Sequence, residues 1–115
     1  MIHKGSCHCG KVSFEVEGDL GTVISCNCSI CRRKAALLWA LPKQQVRFLS
    51  GAGDLGRYTF YRHVIAHRFC THCGINTHGE DTGEAGEANV YINVRCLEDV
   101  DLDALPVQHF DGRAF

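Results

Sequence analysis

The chain has 115 residues, and its 12 basic and 13 acidic side chains leave a formal net charge of −1. With a sequence pI near 6.6, it lacks the basic footprint of a nucleic-acid binder or of a polybasic membrane-surface protein. The longest apolar run, residues 35–41, falls far short of a membrane span. The first seven residues hold no apolar signal core, so a cytoplasmic chain is expected.

One domain over residues 1–115 is expected at this length, with a core small enough to gain from a metal or disulfide staple. Period-two alternation dominates the pattern. Residues 11–17 alternate polar and apolar side chains and predict a half-buried strand, ended by Gly18 and Asp19. Residues 22–25 predict a short strand, and Ser29 is placed to cap one helical turn through Arg32, Arg33 and Lys34. The run 35–41 fits helix or strand, and Pro42 closes it either way. Residues 45–49 and 57–61 predict strands around a turn at Gly51, Ala52 and Gly53. Residues 64–69 feed the third cysteine group. Residues 79–86, with three glycines and three acids, predict an exposed loop, and residues 88–94 a late strand. From Leu97 to the end the chain is acidic and aperiodic, which predicts one helical turn and a tail. The expected fold class is mainly β, with short antiparallel strands and little helix.

Eight cysteines are far more than packing requires: Cys7, Cys9, Cys26, Cys28, Cys31, Cys70, Cys73 and Cys96. All but Cys96 fall in three tight groups. Cysteines one or two residues apart bridge each other only with strain, whereas the same short bite sets two sulfurs on one tetrahedral ion. Metal is therefore expected over a disulfide framework or a bare redox pair. Zinc is favoured, because tetrahedral thiolate sites suit it, and iron is its rival on spacing.

The three groups differ. Cys7-His8-Cys9-Gly10 and Cys70-Thr71-His72-Cys73-Gly74 both end in Cys-Gly, and a glycine there lets the chain turn at positive φ with N–H groups aimed at the thiolates. Two such knuckles supply four thiolates, a closed structural zinc tying residues 7–9 to residues 70–73. Cys26, Cys28 and Cys31 have no following glycine and run into Arg32, Arg33 and Lys34, cations that offset thiolate charge. Three ligands leave one tetrahedral position open, the mark of a catalytic or ligand-binding zinc. Two zinc ions per chain are expected. On the competing reading a fourth protein ligand, such as one of seven histidines, turns this group into a second structural site.

The segments Cys7-His8-Cys9-Gly10, Cys26-Asn27-Cys28-Ser29-Ile30-Cys31-Arg32-Arg33 and Phe69-Cys70-Thr71-His72-Cys73-Gly74 stand in an order and spacing that extend from about residue 5 to the end. The later stretches Asn93-Val94-Arg95-Cys96-Leu97-Glu98-Asp99 and Leu105-Pro106 continue it. In these segments the chain resembles the glutathione-dependent formaldehyde-activating enzyme family, also called the GFA or CENP-V/GFA domain. The resemblance implies an Mss4-like, mainly β fold with two zinc sites. It also implies carbon–sulfur lyase-type chemistry that joins glutathione to formaldehyde as S-hydroxymethylglutathione. Expected partners are glutathione or another small thiol and a small aldehyde, with no nucleic acid and no membrane. After Arg33 the chain reads Lys34-Ala35-Ala36-Leu37 where a small Gly- or Ser-containing turn is expected, a departure that bears on the substrate pocket.

The residues fit that chemistry on their own terms. An open three-thiolate zinc at Cys26, Cys28 and Cys31 accepts a thiol and lowers its pKa, and thiolate attack on an aldehyde gives a hemithioacetal. Arg32, Arg33 and Lys34 are candidate contacts for the carboxylates of an anionic thiol, against the plainer reading of a solvated turn. A non-catalytic zinc-thiol carrier and a zinc-stabilised protein-interaction module are the alternatives. Turnover, stoichiometric thiol binding, or neither would separate the three. His8 and His72 are expected beside the metal rather than on it. His3, His63, His67, His78 and His109 are expected to be structural, and Cys96 a buried, inert thiol. Trp39, Phe48, Tyr58 and Phe60 are expected in the core or in a pocket wall. The thiol, the aldehyde and the oligomeric state stay open.

Overall fold

Alternating side chains build the first hairpin. In β1 (Ile2–Ser6) and β2 (Ser13–Glu17), His3, Gly5, Phe14 and Val16 turn inward. The strands pair antiparallel from Ile2 opposite Glu17 to Ser6 opposite Ser13, a register set by which face is buried. β3 (Val23–Cys26) leads to the single helical turn α1 (Cys31–Lys34), and β4 (Leu38–Pro42) follows. β5 (Val46–Ser50) returns to pair with β2, completing the sheet β1-β2-β5. The remaining strands are β6 (Leu55–Tyr58), β7 (Ile65–Cys70), β8 (Asn76–Asp81), β9 (Asn89–Asn93) and β10 (Val107–Phe110). With β3 and β4 they form a seven-stranded sheet in the order β10-β3-β4-β9-β8-β7-β6. The structure is a computed structural model and describes residues 1–83 and 89–112. Among these, no helix is long and apolar enough to cross a membrane.

The core joins the two sheets. Phe14 and Val16 of the small sheet pack with Val23, Trp39, Leu41, Val90 and Ile92 of the large one, extended by Val94 and Leu97. Each such side chain contributes about 1.5–3 kcal/mol by leaving water. A second, smaller cluster of Cys7, Val12 and Cys70 sits where the cysteine knuckles meet. The fold is mainly β, as the alternation implies.

Several local expectations need correction. The run 35–41 resolves as strand from Leu38 onward. Ser29 does not cap α1; Ile30 holds the N-cap with no side-chain bond, and the Ser29 carbonyl accepts from the Arg33 guanidinium at 2.6 Å. The strands on either side of Gly51 do not pair with each other but enter different sheets. Gly51 makes that divergence possible, at φ 78° and so close to Lys11 that a Cβ would collide with its carbonyl oxygen. Gly79, Glu80 and Asp81 lie in β8 rather than in an exposed loop, and residues 84–86 of that stretch fall outside the described residues. Asp81 is buried because it accepts from the Asn89 N–H at 2.9 Å and the Tyr91 hydroxyl at 3.0 Å. The expected tail contains β10, which lies parallel to β3.

His78, in β8, is 1 % exposed, with its ring 4.9 Å from that of Phe48. Burial lowers its pKa to about 4; Glu80 opposes the shift, while Arg68, Lys34 and Lys43 add to it. The unfolded chain takes up this proton near pH 6.5 and the folded chain only near pH 4. Stability is therefore full above pH 6.5 and is lost as pH falls through that window. Urea unfolding at pH 7 and pH 5 should show about 2 kcal/mol of loss attributable to His78. His78→Gln should be less pH-sensitive by that amount, and equal pH slopes in the two proteins would refute the assignment.

Candidate metal centres and the adjoining pocket

The first group is assembled from both sheets. Cys7 directly follows β1, Cys9 lies two residues on, Cys70 ends β7 and Cys73 closes the turn toward β8. Gly10 and Gly74 take the positive φ expected after each knuckle, 82° and 79°. The Val12 N–H donates to the Cys7 sulfur at 3.4 Å and the His72 N–H to the Cys70 sulfur at 3.3 Å. The sulfurs of Cys7 and Cys9 are 3.6 Å apart, and those of Cys9 and Cys70 are 3.7 Å apart. Four sulfurs at about 2.3 Å from one tetrahedral ion stand about 3.8 Å from each other, so the spacing suits a shared ion. None of the eight cysteines forms a disulfide. The N–H groups of Ile75 and Cys9 pull the Cys73 thiol down to about 6, readying it as a thiolate ligand.

The second group stands where β3 passes into α1. The ligand atoms of Cys26, Cys28 and Cys31, like those of the first group, lie within 4.8 Å of one another. Burial raises the Cys28 thiol, but the Cys31 N–H and the neighbouring thiols outweigh it and leave Cys28 below the ordinary value. Cys31 is pushed up to about 12 by burial and by the hydrogen bond with Cys28. Three such groups ionise together only beside a cation, which is what a metal ion provides. Both groups could hold a metal ion; zinc suits the all-sulfur donor set.

A cavity of about 410 Å³ opens directly on the second group. Cys26, Cys28 and Cys31 form part of its wall, and Ile24, Leu38, Phe60, Ile65 and Phe110 form apolar parts. Its polar edge includes Lys34 and His67, joined by a bond of 3.3 Å between Nζ and Nδ1. Burial, and then the Lys34 charge, lower the His67 pKa to about 4, so the ring is neutral at pH 7. With the ammonium donating, Nδ1 accepts and the ring hydrogen sits on Nε2. A smaller cavity of about 290 Å³, lined by Ser29, Ile30, Arg33, Tyr58 and Phe60, shares Ile30 and Phe60 with the first.

Of the three consecutive cations, Lys34 reaches the larger cavity. Arg33 lines the smaller one, and Arg32 is exposed and lines neither. His67, expected to be structural, lines the pocket, and so does Tyr91. The signal for His67 was available: β7 sends Ile65 and His67 to one face by period two. His72 pairs with Asp54 at 3.0 Å, His3 with Asp99 at 3.2 Å, and His63 with the Thr59 hydroxyl at 2.7 Å. Cys96 lies outside both groups; burial pushes its thiol up to about 11, and its sulfur donates to the Asn76 carbonyl at 3.5 Å. Trp39 is in the core, Phe48 packs against it, and Phe60 is pocket wall.

Comparison with known proteins agrees with this arrangement. The chain is similar to a Rhodobacter sphaeroides protein of known crystal structure, with 34% sequence identity and a TM-score of 0.79, covering 91% of this chain and 99% of the other. The family profile described as glutathione-dependent formaldehyde-activating enzyme matches residues 2–110. That match spans both cysteine groups and all ten described strands, and the chain accordingly belongs to the glutathione-dependent formaldehyde-activating enzyme (GFA) family.

Proposed function

We propose that this protein is a zinc-dependent, carbon–sulfur lyase-type enzyme that adds glutathione, or a related small thiol, to a small aldehyde. Cys7, Cys9, Cys70 and Cys73 hold a structural zinc, and Cys26, Cys28 and Cys31 hold a second zinc open to substrate. The observation that carries the reading is the place of the three-sulfur group. Among the described residues it is one donor short of a tetrahedron, and it lines a cavity that a small molecule can enter. Zinc bound there supplies stabilisation of the substrate sulfur as a thiolate at neutral pH.

The chain's own residues carry the rest. As the carbon–sulfur bond forms, the carbonyl π pair moves onto oxygen, and the Lys34 ammonium stabilises that charge. Lys34 donates a proton to the oxygen and recovers one from the thiol through solvent, so the product is the neutral hemithioacetal. The neutral His67 ring, accepting from Lys34, holds the ammonium on the sulfur side of the pocket. Arg33 in the adjoining cavity, with Arg32 next to it, suits the carboxylates of an anionic thiol.

The test is the exchange of formaldehyde between its free and glutathione-bound forms, followed by two-dimensional exchange NMR. Exchange should exceed the rate in buffer. Lys34→Met should slow the catalysed part about 100-fold, with thiol binding retained, and Lys34→Arg should recover part of it. Stoichiometric thiol binding with no acceleration would replace the enzyme with a carrier.

A further inference from the structure

The cavity beside Cys26, Cys28 and Cys31 is too large and too apolar for the smallest aldehyde. Its volume is about 410 Å³, whereas formaldehyde is little larger than a water molecule, whose share of liquid volume is about 30 Å³. Formaldehyde alone would leave Ile24, Leu38, Phe60 and Ile65 facing void or water. Void forfeits their dispersion contacts, and water there finds few polar partners.

Glutathione does not suit the apolar interior either. It carries two carboxylates and an ammonium, and charges set against apolar walls are unfavourable without partners. Among the described lining residues none is acidic to pair the ammonium, and the two cations stand off the apolar wall, Lys34 beside His67 and the exposed Arg62 over the ring of the exposed Tyr61. The smaller cavity with Arg33, reached across Ile30 and Phe60, offers the carboxylates a place outside that interior.

Building on the thiol–aldehyde reading above, we infer that the aldehyde partner carries an aryl or branched alkyl group of roughly six to ten carbons. That group lies against Ile24, Leu38, Phe60 and Ile65, with the carbonyl turned toward Lys34 and the cysteines. Each methylene buried this way is worth about fourfold in affinity, so discrimination against formaldehyde accumulates quickly.

The experiment uses the metal-loaded protein and two readouts. The first is binding of 3-phenylpropan-1-ol, an unreactive mimic, measured by calorimetry against methanol. The second is the exchange rate at fixed glutathione for 3-phenylpropanal and for formaldehyde. The mimic should bind saturably, and kcat/KM should favour 3-phenylpropanal at least tenfold. Val64 lines the cavity and is 39 % exposed, so Val64→Asp sets a carboxylate there with little effect on folding. It should weaken the mimic about tenfold and narrow the preference between the aldehydes. Accelerated formaldehyde exchange with no saturable binding of the mimic would overturn the inference and leave the thiol–aldehyde reading standing. Saturable binding that Val64→Asp weakens, with no aldehyde exchanged faster than in buffer, would sink that reading while the apolar ligand class stands.

Discussion

Cys73→Ser, or prolonged chelation of the wild-type protein, is expected to abolish the cooperative thermal transition or lower its midpoint by more than 20 °C. The reason lies in where the first cysteine group sits. Cys7 follows a strand of the three-stranded sheet, and Cys70 ends a strand of the seven-stranded one. An ion shared by the four sulfurs therefore ties sheet to sheet, beside the small cluster of Cys7, Val12 and Cys70. Structural zinc sites in small domains are worth roughly 10–16 kcal/mol, as much as the entire net stability of a typical domain, about 5–15 kcal/mol. Losing one ligand removes much of that. It also leaves three crowded sulfurs, two of them, Cys7 and Cys70, 3 % and 0 % exposed, without the charge that holds them together. Near-ultraviolet circular dichroism and metal content measured on the same samples check this. Cys96→Ser is the control: that thiol belongs to neither group and should melt within a few degrees of wild type. A soluble Cys73→Ser with unchanged melting and metal content would show that these four cysteines do not share an ion.

The two cysteine groups were legible because the clustering of thiols at a metal-ligand bite is encoded locally. A bite of one or two residues and a trailing glycine record the knuckle geometry in the sequence itself, and Gly10 and Gly74 adopt the conformation that pattern asks for. Which of the three consecutive cations reaches the pocket was not legible at that level. Arg32, Arg33 and Lys34 are adjacent, and successive residues on a helical turn point about 100° apart. Which one meets the pocket is set by how α1 leaves β3 and by its exit through Ala35 in a left-handed conformation. Composition misled at residues 79–81 for a related reason. Acids usually mark the surface, but Asp81 finds its donors on the neighbouring strand β9, a pairing that composition does not record. β10 left no pattern at all. Its four residues are exposed, so no alternation marks them, and the strand is held by backbone pairing with β3. That pairing continues past β10. The Asn27 N–H donates to the Phe110 carbonyl at 3.2 Å, and the Gly112 N–H donates to the Asn27 side chain at 2.7 Å. A Cβ on Gly112 would lie 2.7 Å from the Cys26 sulfur, so the end of the described chain closes against the three-cysteine group through a residue small enough to approach it.

Cys28→Ala tests that group without dismantling the fold. Cys28 belongs to neither hydrophobic cluster, and its loop is held independently by the Asn27 bonds and by the Arg32 N–H on the Cys28 carbonyl at 3.0 Å. The variant should therefore stay folded and lose only a few degrees of melting temperature, in contrast to Cys73→Ser. It should retain one equivalent of metal where the wild type holds two, because two remaining thiols bind far more weakly than three. Function should respond much more strongly. In the cobalt-substituted wild type, glutathione should intensify the sulfur-to-metal charge-transfer absorption, whereas S-methylglutathione, with no thiol to ionise, should do little. Cys28→Ala should lose that response and the accelerated glutathione–aldehyde exchange together, a loss of at least 100-fold in the catalysed rate. The pairing of the two losses is informative. A thiol response that survives in Cys28→Ala places thiol binding elsewhere, and exchange that survives without it removes the metal from the reaction. If both metals remain with full rate, Cys26, Cys28 and Cys31 are not the open site, and the pocket they line serves some other chemistry.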